Sequence, residues 1–400
     1  MRAAWVTAES PDRNLGGGNR RQAYLFEALS GVADVDLFLC GRLADEDTRR
    51  AAARVVELPA PAVAPTVSRW RRRLQTVDHV VTSRLPVEMA VMAPALPGLR
   101  ANLAGSPRYD VVCVVHLGLA PLLDRDIAPR WCLDLPHLPS RAAGQTAVVM
   151  NRARDRWILS SDERKAANAE RQAVADFDLV SVCSAEDGAA LGSGDIAVVP
   201  NGVDLGRTSF SPLPRAPTVL LAASLNYLPN VDGAEWFCRE VWPLVRAEHP
   251  AATLEIVGRA PVPRILALGA LDGVRVVADV PDMAPYFGAA RVAVVPLRIG
   301  SGTRLKALEA MAAGRPVVGT SVGLEGLGLA DGVDARITDQ AAGMAEAVGS
   351  LLKDDGMAAA MADRARTLVE QRYSWRAIGD AFATRVRDLG APSQDRDILA

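Results

Sequence analysis

The chain has 400 residues and a formal net charge of −2, with half of its residues hydrophobic and only 5% aromatic. That length suggests two domains, and the apolar fraction is enough for two sizeable cores. The near-neutral charge supplies no global field for nucleic acid, and the abundance of Ala, Val, Leu and Gly suits an α/β protein better than a β-sandwich. The five cysteines form no CxxC pair and sit mostly in apolar runs, so they read as reduced core residues of a cytosolic protein. The four histidines supply no clustered zinc ligands, and a metal site is not expected. No signal-peptide layout opens the chain, and no apolar run has transmembrane length. A cytoplasmic protein is expected, at most peripheral to the inner face of a membrane.

In chain order, an apolar run from Ala3 to Thr7 leads into Gly16-Gly17-Gly18, a helical pattern from Arg20 to Leu29 and an apolar run from Val35 to Cys40. That is one βαβ unit. The run Arg69 to Arg73 is basic with one tryptophan, the composition of a solvated helix face or of a contact with anionic lipid. Further strands are expected at Val111 to Val115, Trp131 to Leu133, Leu179 to Cys183 and Ala197 to Val199. The stretch Leu205 to Pro217 holds three prolines with Ser, Thr and Gly, and reads as a linker. A second series follows: strands at Val219 to Ala223, Thr253 to Val257, Val274 to Val277, Val292 to Val295 and Val317 to Gly319. Helices are expected near Ala234 to Arg246 and Thr303 to Ala313, then at Ala341 to Leu352, Met357 to Gln371 and Trp375 to Leu389. Continuous apolar strands separated by helices imply parallel sheets covered on both faces. The expected domains are 1–205, a linker at 206–217, 218–373, and a C-terminal helix and tail at 374–400.

The most informative segment runs from Pro296 to Thr320. Gly300-Ser301-Gly302-Thr303 forms a turn between a strand and a helix that stops at Gly314. The two glycines let backbone approach a ligand, and the helix start offers unpaired amides and about half a positive charge to an anion. Arg304 and Lys306 add charge at the same end. Glu309 lies about 9 Å along the axis from Thr303, a distance that matches the span from a diphosphate to its ribose hydroxyls. A carboxylate accepts from two vicinal hydroxyls, so a nucleoside diphosphate fits along this helix.

The segment resembles the donor motif of GT-B glycosyltransferases of family 4, in a variant reading GSGTRLKxLEAMA. Val199-Pro-Asn-Gly-Val-Asp204, Leu225 to Asp232 with Trp236-Phe237, Ala278 to Asp282, and Tyr373-Ser-Trp375 are similar to further stretches of that family. The resemblance implies two Rossmann-like domains facing a central cleft, with the C-terminal helix packed back on the first domain. It implies transfer of a sugar from a nucleotide-diphosphate donor, UDP- or GDP-linked, with retention of configuration and with neither metal nor cofactor. The implied donor-binding set is Gly17, Gly18, Asn230, Val280, Gly300, Ser301, Gly302, Thr303, Arg304, Lys306 and Glu309. Many family members carry a glutamate where this chain has Ser301, and a basic pair where Ala223 to Asn230 has none.

On the first domain, the three glycines at 16–18 open a helix, as a ligand loop or as a surface turn. His116 ends the strand Val111 to Val115, as a family sugar-contacting histidine or as a structural one. Asp134 ends the next strand with His137 close by, and either is read as an acceptor ligand or a base. The implied catalytic set is His116, Asp134, Lys306 and Glu309. The acceptor is left open among a saccharide, a lipid-linked sugar and a small molecule. A GT-B epimerase or cyclitol-coupling enzyme, and a non-catalytic nucleotide-sugar-binding protein, are the alternatives.

Overall fold

A computed structural model of the protein describes residues 1–60, 83, 85–150, 152–208, 210–300 and 304–391. The basic run Arg69 to Arg73 and the turn residues Ser301, Gly302 and Thr303 lie outside the described residues. The chain divides into two compact units. Unit 1 is Met1–Pro200 together with the segment from Arg376 onward, and unit 2 is Asn201–Trp375.

Unit 1 is built on strands β1 (Arg2–Thr7), β2 (Asp34–Cys40), β3 (Arg54–Leu58), β4 (Val111–Val115), β5 (Arg130–Leu135), β6 (Leu179–Val182) and β7 (Ile196–Val198). They pair in the order β3-β2-β1-β4-β5-β6-β7, all parallel. Every residue of β4 is buried, as expected for a strand covered on both faces. Ala4 and Val6 face one layer with Met89, Leu99 and Leu103. Trp5 points the other way and makes edge contacts with Phe26 and Phe382, ring centroids 6.0 and 6.1 Å apart. Phe382 belongs to the last helix, Trp375–Gly390, so residues near the end of the chain complete the core begun by β1. Strand β3 was not expected from the sequence. Its Arg-Val-Val-Glu-Leu sequence is short and half exposed, because among the described residues it pairs with β2 alone, at the sheet edge.

Unit 2 holds β8 (Thr218–Ser224), β9 (Thr253–Arg259), β10 (Val274–Ala278), β11 (Val292–Val295), β12 (Val317–Gly319) and β13 (Arg336–Ile337), parallel in the order β10-β9-β8-β11-β12-β13. Val219 and Leu221 face a layer containing Phe237, Trp242 and Leu351. Leu220 and Val295 face the opposite layer, with Leu308, Met311 and Val369. The helix expected near Ala234 to Arg246 is longer, Leu228–Trp236 and Trp242–Glu248 joined by a widened turn at Phe237–Val241. Pro243 has no N–H to donate into that turn, which accounts for the local widening.

The stretch expected as a linker is strapped to unit 2. Arg315 is fully buried and donates to the Ser211 and Pro212 carbonyls and to that of Ala290, and Arg291 donates to the Pro214 carbonyl at 3.2 Å. Burial pushes the Arg315 guanidinium down to about 10, so it stays charged at neutral pH. Proline-rich composition correctly signals irregular backbone, but two buried arginines use its carbonyls as acceptors.

In each sheet the strand order reverses once, between β1 and β4 in unit 1 and between β8 and β11 in unit 2. Open parallel sheets bind ligands outside the carboxyl ends of the strands at such a reversal.

Candidate functional site

In unit 2 the loop leaving β11 at the reversal point carries Pro296 to Gly300. The Thr320 hydroxyl donates to the Leu297 carbonyl and accepts from the Gly323 amide at 2.8 Å, which fixes the loop against the end of β12. Arg298 makes a two-pronged pair with Asp232 at 2.6 and 2.9 Å. Gly300 has φ 131°, a conformation that side chains other than glycine's rarely adopt. A Cβ there would also meet the Arg304 guanidinium at 3.0 Å. Gly300→Ala is therefore expected to cost about 1–3 kcal/mol locally, read as faster hydrogen exchange in residues 296–304 with the β8 and β9 amides unchanged.

The helix that follows, Leu305–Ala312, buries Leu308, Met311 and Ala312 against the sheet. Among the described residues no side chain caps its start. Lys306 Nζ donates to Glu309 Oε2 at 2.8 Å. Glu309 is buried at 8% exposure while Lys306 keeps about a third of its side chain in solvent, so the pair presents one charge of each sign along the helix. Arg304 is placed otherwise than expected. Its Nε donates to the Val322 carbonyl at 3.1 Å, and its guanidinium is packed under Gly300, 4.0 Å from Glu325. It braces the loop, and its side chain is only 9% exposed.

Asn230 spends its side-chain amide on the Ser224 carbonyl at 2.8 Å and so fixes the end of β8. Val280 is half-buried among Met283, Tyr286 and Phe287. Beside it, Ala260 and Asp279, at the ends of β9 and β10, both have φ 52°, and Asp279 accepts from the Ala260 amide at 2.7 Å. Two strained non-glycine residues at adjacent strand ends mark a constrained surface that the sequence does not announce.

In unit 1 the helix Gly17–Ser30 starts directly after Gly16. Glu9 lies over this start. Its Oε2 is 3.2 Å from where a Gly18 Cβ would stand, so a side chain there would press on the carboxylate and shift it by a few tenths of an ångström. His116 follows β4 with φ 75°, its amide donating to the Asp134 carbonyl at 2.9 Å. Its Nε2 is 3.7 Å from Glu9 Oε2, and its ring is 5.8 Å from that of His137. Burial would lower the His116 pKa, but the Glu9 carboxylate, with Glu88 and Asp134, outweighs it and raises the value. His116 in turn holds Glu9 below the usual carboxylate range. Burial, then the charge on His116, lowers His137. By linkage, the His116 contribution to stability is complete below 6.5 and is lost as pH rises through the folded value. That of Glu9 is complete above 4.5 and is lost as pH falls through its folded value.

Asp134 does not stand at a strand end as its sequence position suggests. It lies inside β5, which runs on to Leu135, and is 1% exposed. Its carboxylate accepts from Arg21 Nε at 3.0 Å, from a terminal Arg21 nitrogen at 2.6 Å and from Ser181 Oγ at 2.6 Å. Arg21 is itself fully buried and also donates to the Val199 carbonyl at 2.6 Å. A carboxylate so saturated neither meets an acceptor nor takes its proton. Unit 1 thus brings together Gly18, His116 and His137 with Glu9, which sequence spacing did not single out, and leaves Asp134 in the core.

The sheet orders and the solved structures of similar fold show a GT-B architecture, and the similarities in sequence support a nucleotide-sugar glycosyltransferase. Residues 216–354 match the family model described as "Glycosyl transferases group 1". The chain is similar to a glycogen synthase of Mycobacterium tuberculosis, 29% identical over 96% of this chain and 94% of that one. Among solved structures it resembles sucrose-phosphate synthase from Thermosynechococcus elongatus (TM-score 0.73, 19% identity, 97% of this chain and 99% of that one). It also resembles Anabaena Alr3699/HepE in complex with UDP-glucose (TM-score 0.62, 16% identity, 97% and 100%). Among the described residues no helix is long and apolar enough to cross a membrane, and no group of His, Cys, Asp or Glu is arranged to hold a metal ion.

Proposed function

We propose that the chain is a family 4 enzyme that transfers a hexosyl group from a UDP-linked donor to an acceptor hydroxyl, with retention and without a metal ion. The observation that carries this reading is the Lys306–Glu309 pair on a helix that starts at the strand-order reversal of unit 2. Glu309 accepts from the ribose diol, and the helix start with Lys306 stabilises the diphosphate as the glycosidic bond breaks. A cation and a helix dipole aimed at the leaving group do the work a divalent ion does elsewhere. The relatives support glucose as the first donor sugar to test: one is named a glycogen synthase and one structure holds UDP-glucose. A glucan chain is accordingly the first acceptor.

Retention has a direct test. With UDP-glucose and glycogen, the new linkage is expected to show the anomeric configuration of the donor in the proton spectrum of the product, with or without added EDTA. An inverted anomer, or loss of turnover with EDTA, would overturn the retaining or the metal-free part respectively. UDP release that needs no acceptor would favour hydrolase or epimerase chemistry.

A further inference from the structure

The carboxylate beside His116 has no part in the donor chemistry of unit 2, and its placement is specific. Glu9 sits two residues past β1, at the strand-order reversal of unit 1. Its backbone is held by Thr7, whose Oγ accepts from the Glu9 amide at 3.1 Å, lies 3.0 Å from the Glu9 carbonyl and is 2.6 Å from Gln22 Oε1. His116 is held from the other side in a left-handed conformation costly for any side chain but glycine's. Its Nε2 is buried and has no hydrogen-bond partner among the described residues. An unsatisfied buried ring nitrogen aimed at a carboxylate 3.7 Å away is a hydrogen bond about 0.5 Å from closing. Such contacts often tighten only when a ligand is bound.

Three other titratable groups face this ring. Asp134 is already neutralised by Arg21. Glu88, on the helix Val87–Met92, accepts from the Gly118 amide at 3.1 Å. His137 is held down by burial and by the charge on His116, so it does not supply a counter-charge. Glu9 is the carboxylate within salt-bridge distance of a His116 ring nitrogen.

We propose that Glu9 is a positioning residue for sugar transfer: its carboxylate orients and charge-balances the His116 imidazolium, leaving the other ring nitrogen to donate to an oxygen of a sugar bound at the strand-order reversal of unit 1. This rests on the glycosyltransferase reading and adds a residue to it. Gly18 borders the same carboxylate, 3.2 Å from where its Cβ would stand. Without Glu9 the buried ring loses its compensating charge, gives up its proton at lower pH and is free to rotate.

The test has two arms. With only four histidines in the chain, the imidazole signals can be assigned and followed by NMR in wild type, Glu9→Gln and Glu9→Asp. His116 is expected to titrate at lower pH in Glu9→Gln and near its wild-type value in Glu9→Asp. An unchanged His116 titration in Glu9→Gln overturns the pairing, whether or not any sugar transfer is detected. The second arm is the pH profile of kcat/KM with UDP-glucose and glycogen. Glu9→Gln is expected to move the alkaline limb to lower pH and to lose about tenfold or more on that limb, with Glu9→Asp restoring part of it. A loss of equal size at every pH, or no loss, overturns the positioning role. Stabilisation of unit 2 by UDP reads the donor site separately, and its failure would count against the glycosyltransferase reading alone.

Discussion

Asp134→Ala is expected to destabilise unit 1 by about 3–5 kcal/mol, because it leaves the fully buried Arg21 guanidinium without its counter-charge. The pair joins three elements: Arg21 on the first helix, Asp134 in β5, and Ser181 in β6. Removing one member strands a charge in a site no water reaches, and the lost attraction cannot be replaced by screening. Hydrogen exchange is the suitable measurement, since it reads the two units separately. Amides of β5 and β6 should lose protection while those of β8 and β11 keep theirs. Replacing both partners, Arg21→Met with Asp134→Leu, should recover much of the loss, since an apolar pair removes both desolvation costs together. A stable Asp134→Ala protein with only its turnover impaired would instead restore Asp134 to the catalytic set.

Glu309→Ala is expected to weaken UDP binding by about two orders of magnitude. Two hydrogen bonds from a ribose diol to a carboxylate are each worth about 1.5–3 kcal/mol, and losing even 3 kcal/mol raises Kd more than a hundredfold. UDP at a hundred times Kd should stabilise the native wild type by about 2.7 kcal/mol, and the same concentration should leave the variant near its unliganded melting temperature. GDP should stabilise neither protein comparably. If UDP shifts wild type and variant equally, Glu309 does not meet the ribose. If neither nucleotide shifts a folded wild type, the donor assignment of the whole Gly300 to Glu309 segment fails.

The strands were legible wherever both faces are covered, because a buried parallel strand must be apolar throughout. Val111–Val115, Val292–Val295 and Val317–Gly319 are such runs. The edges were not: β3 mixes charge with valine, and β13 is two residues long. The Lys306–Glu309 spacing was legible because helical geometry fixes it locally. The Arg21–Asp134 and Glu9–His116 pairs were not, since each joins residues more than a hundred positions apart. One signal was nonetheless present. A charge inside the apolar run Trp-Cys-Leu-Asp-Leu at 131–135 has to be paired in the core, and that pattern by itself argues for a structural role. Arg304 shows the converse. A basic residue in a phosphate-type motif reads as ligand-facing, yet the Val322 carbonyl turns it inward.

The route of the chain through its two units sets an order of assembly. Unit 2 is complete once Trp375 has been made, while unit 1 still lacks the helix that carries Phe382. On a ribosome adding about 5–20 residues per second, Trp5 waits roughly 20–75 s for the ring that packs against it. Until that segment is made, the nascent first unit lacks the ring that covers Trp5. Residues 1–200 alone therefore do not complete unit 1, and its Trp5 layer closes only when the segment from Arg376 has joined it.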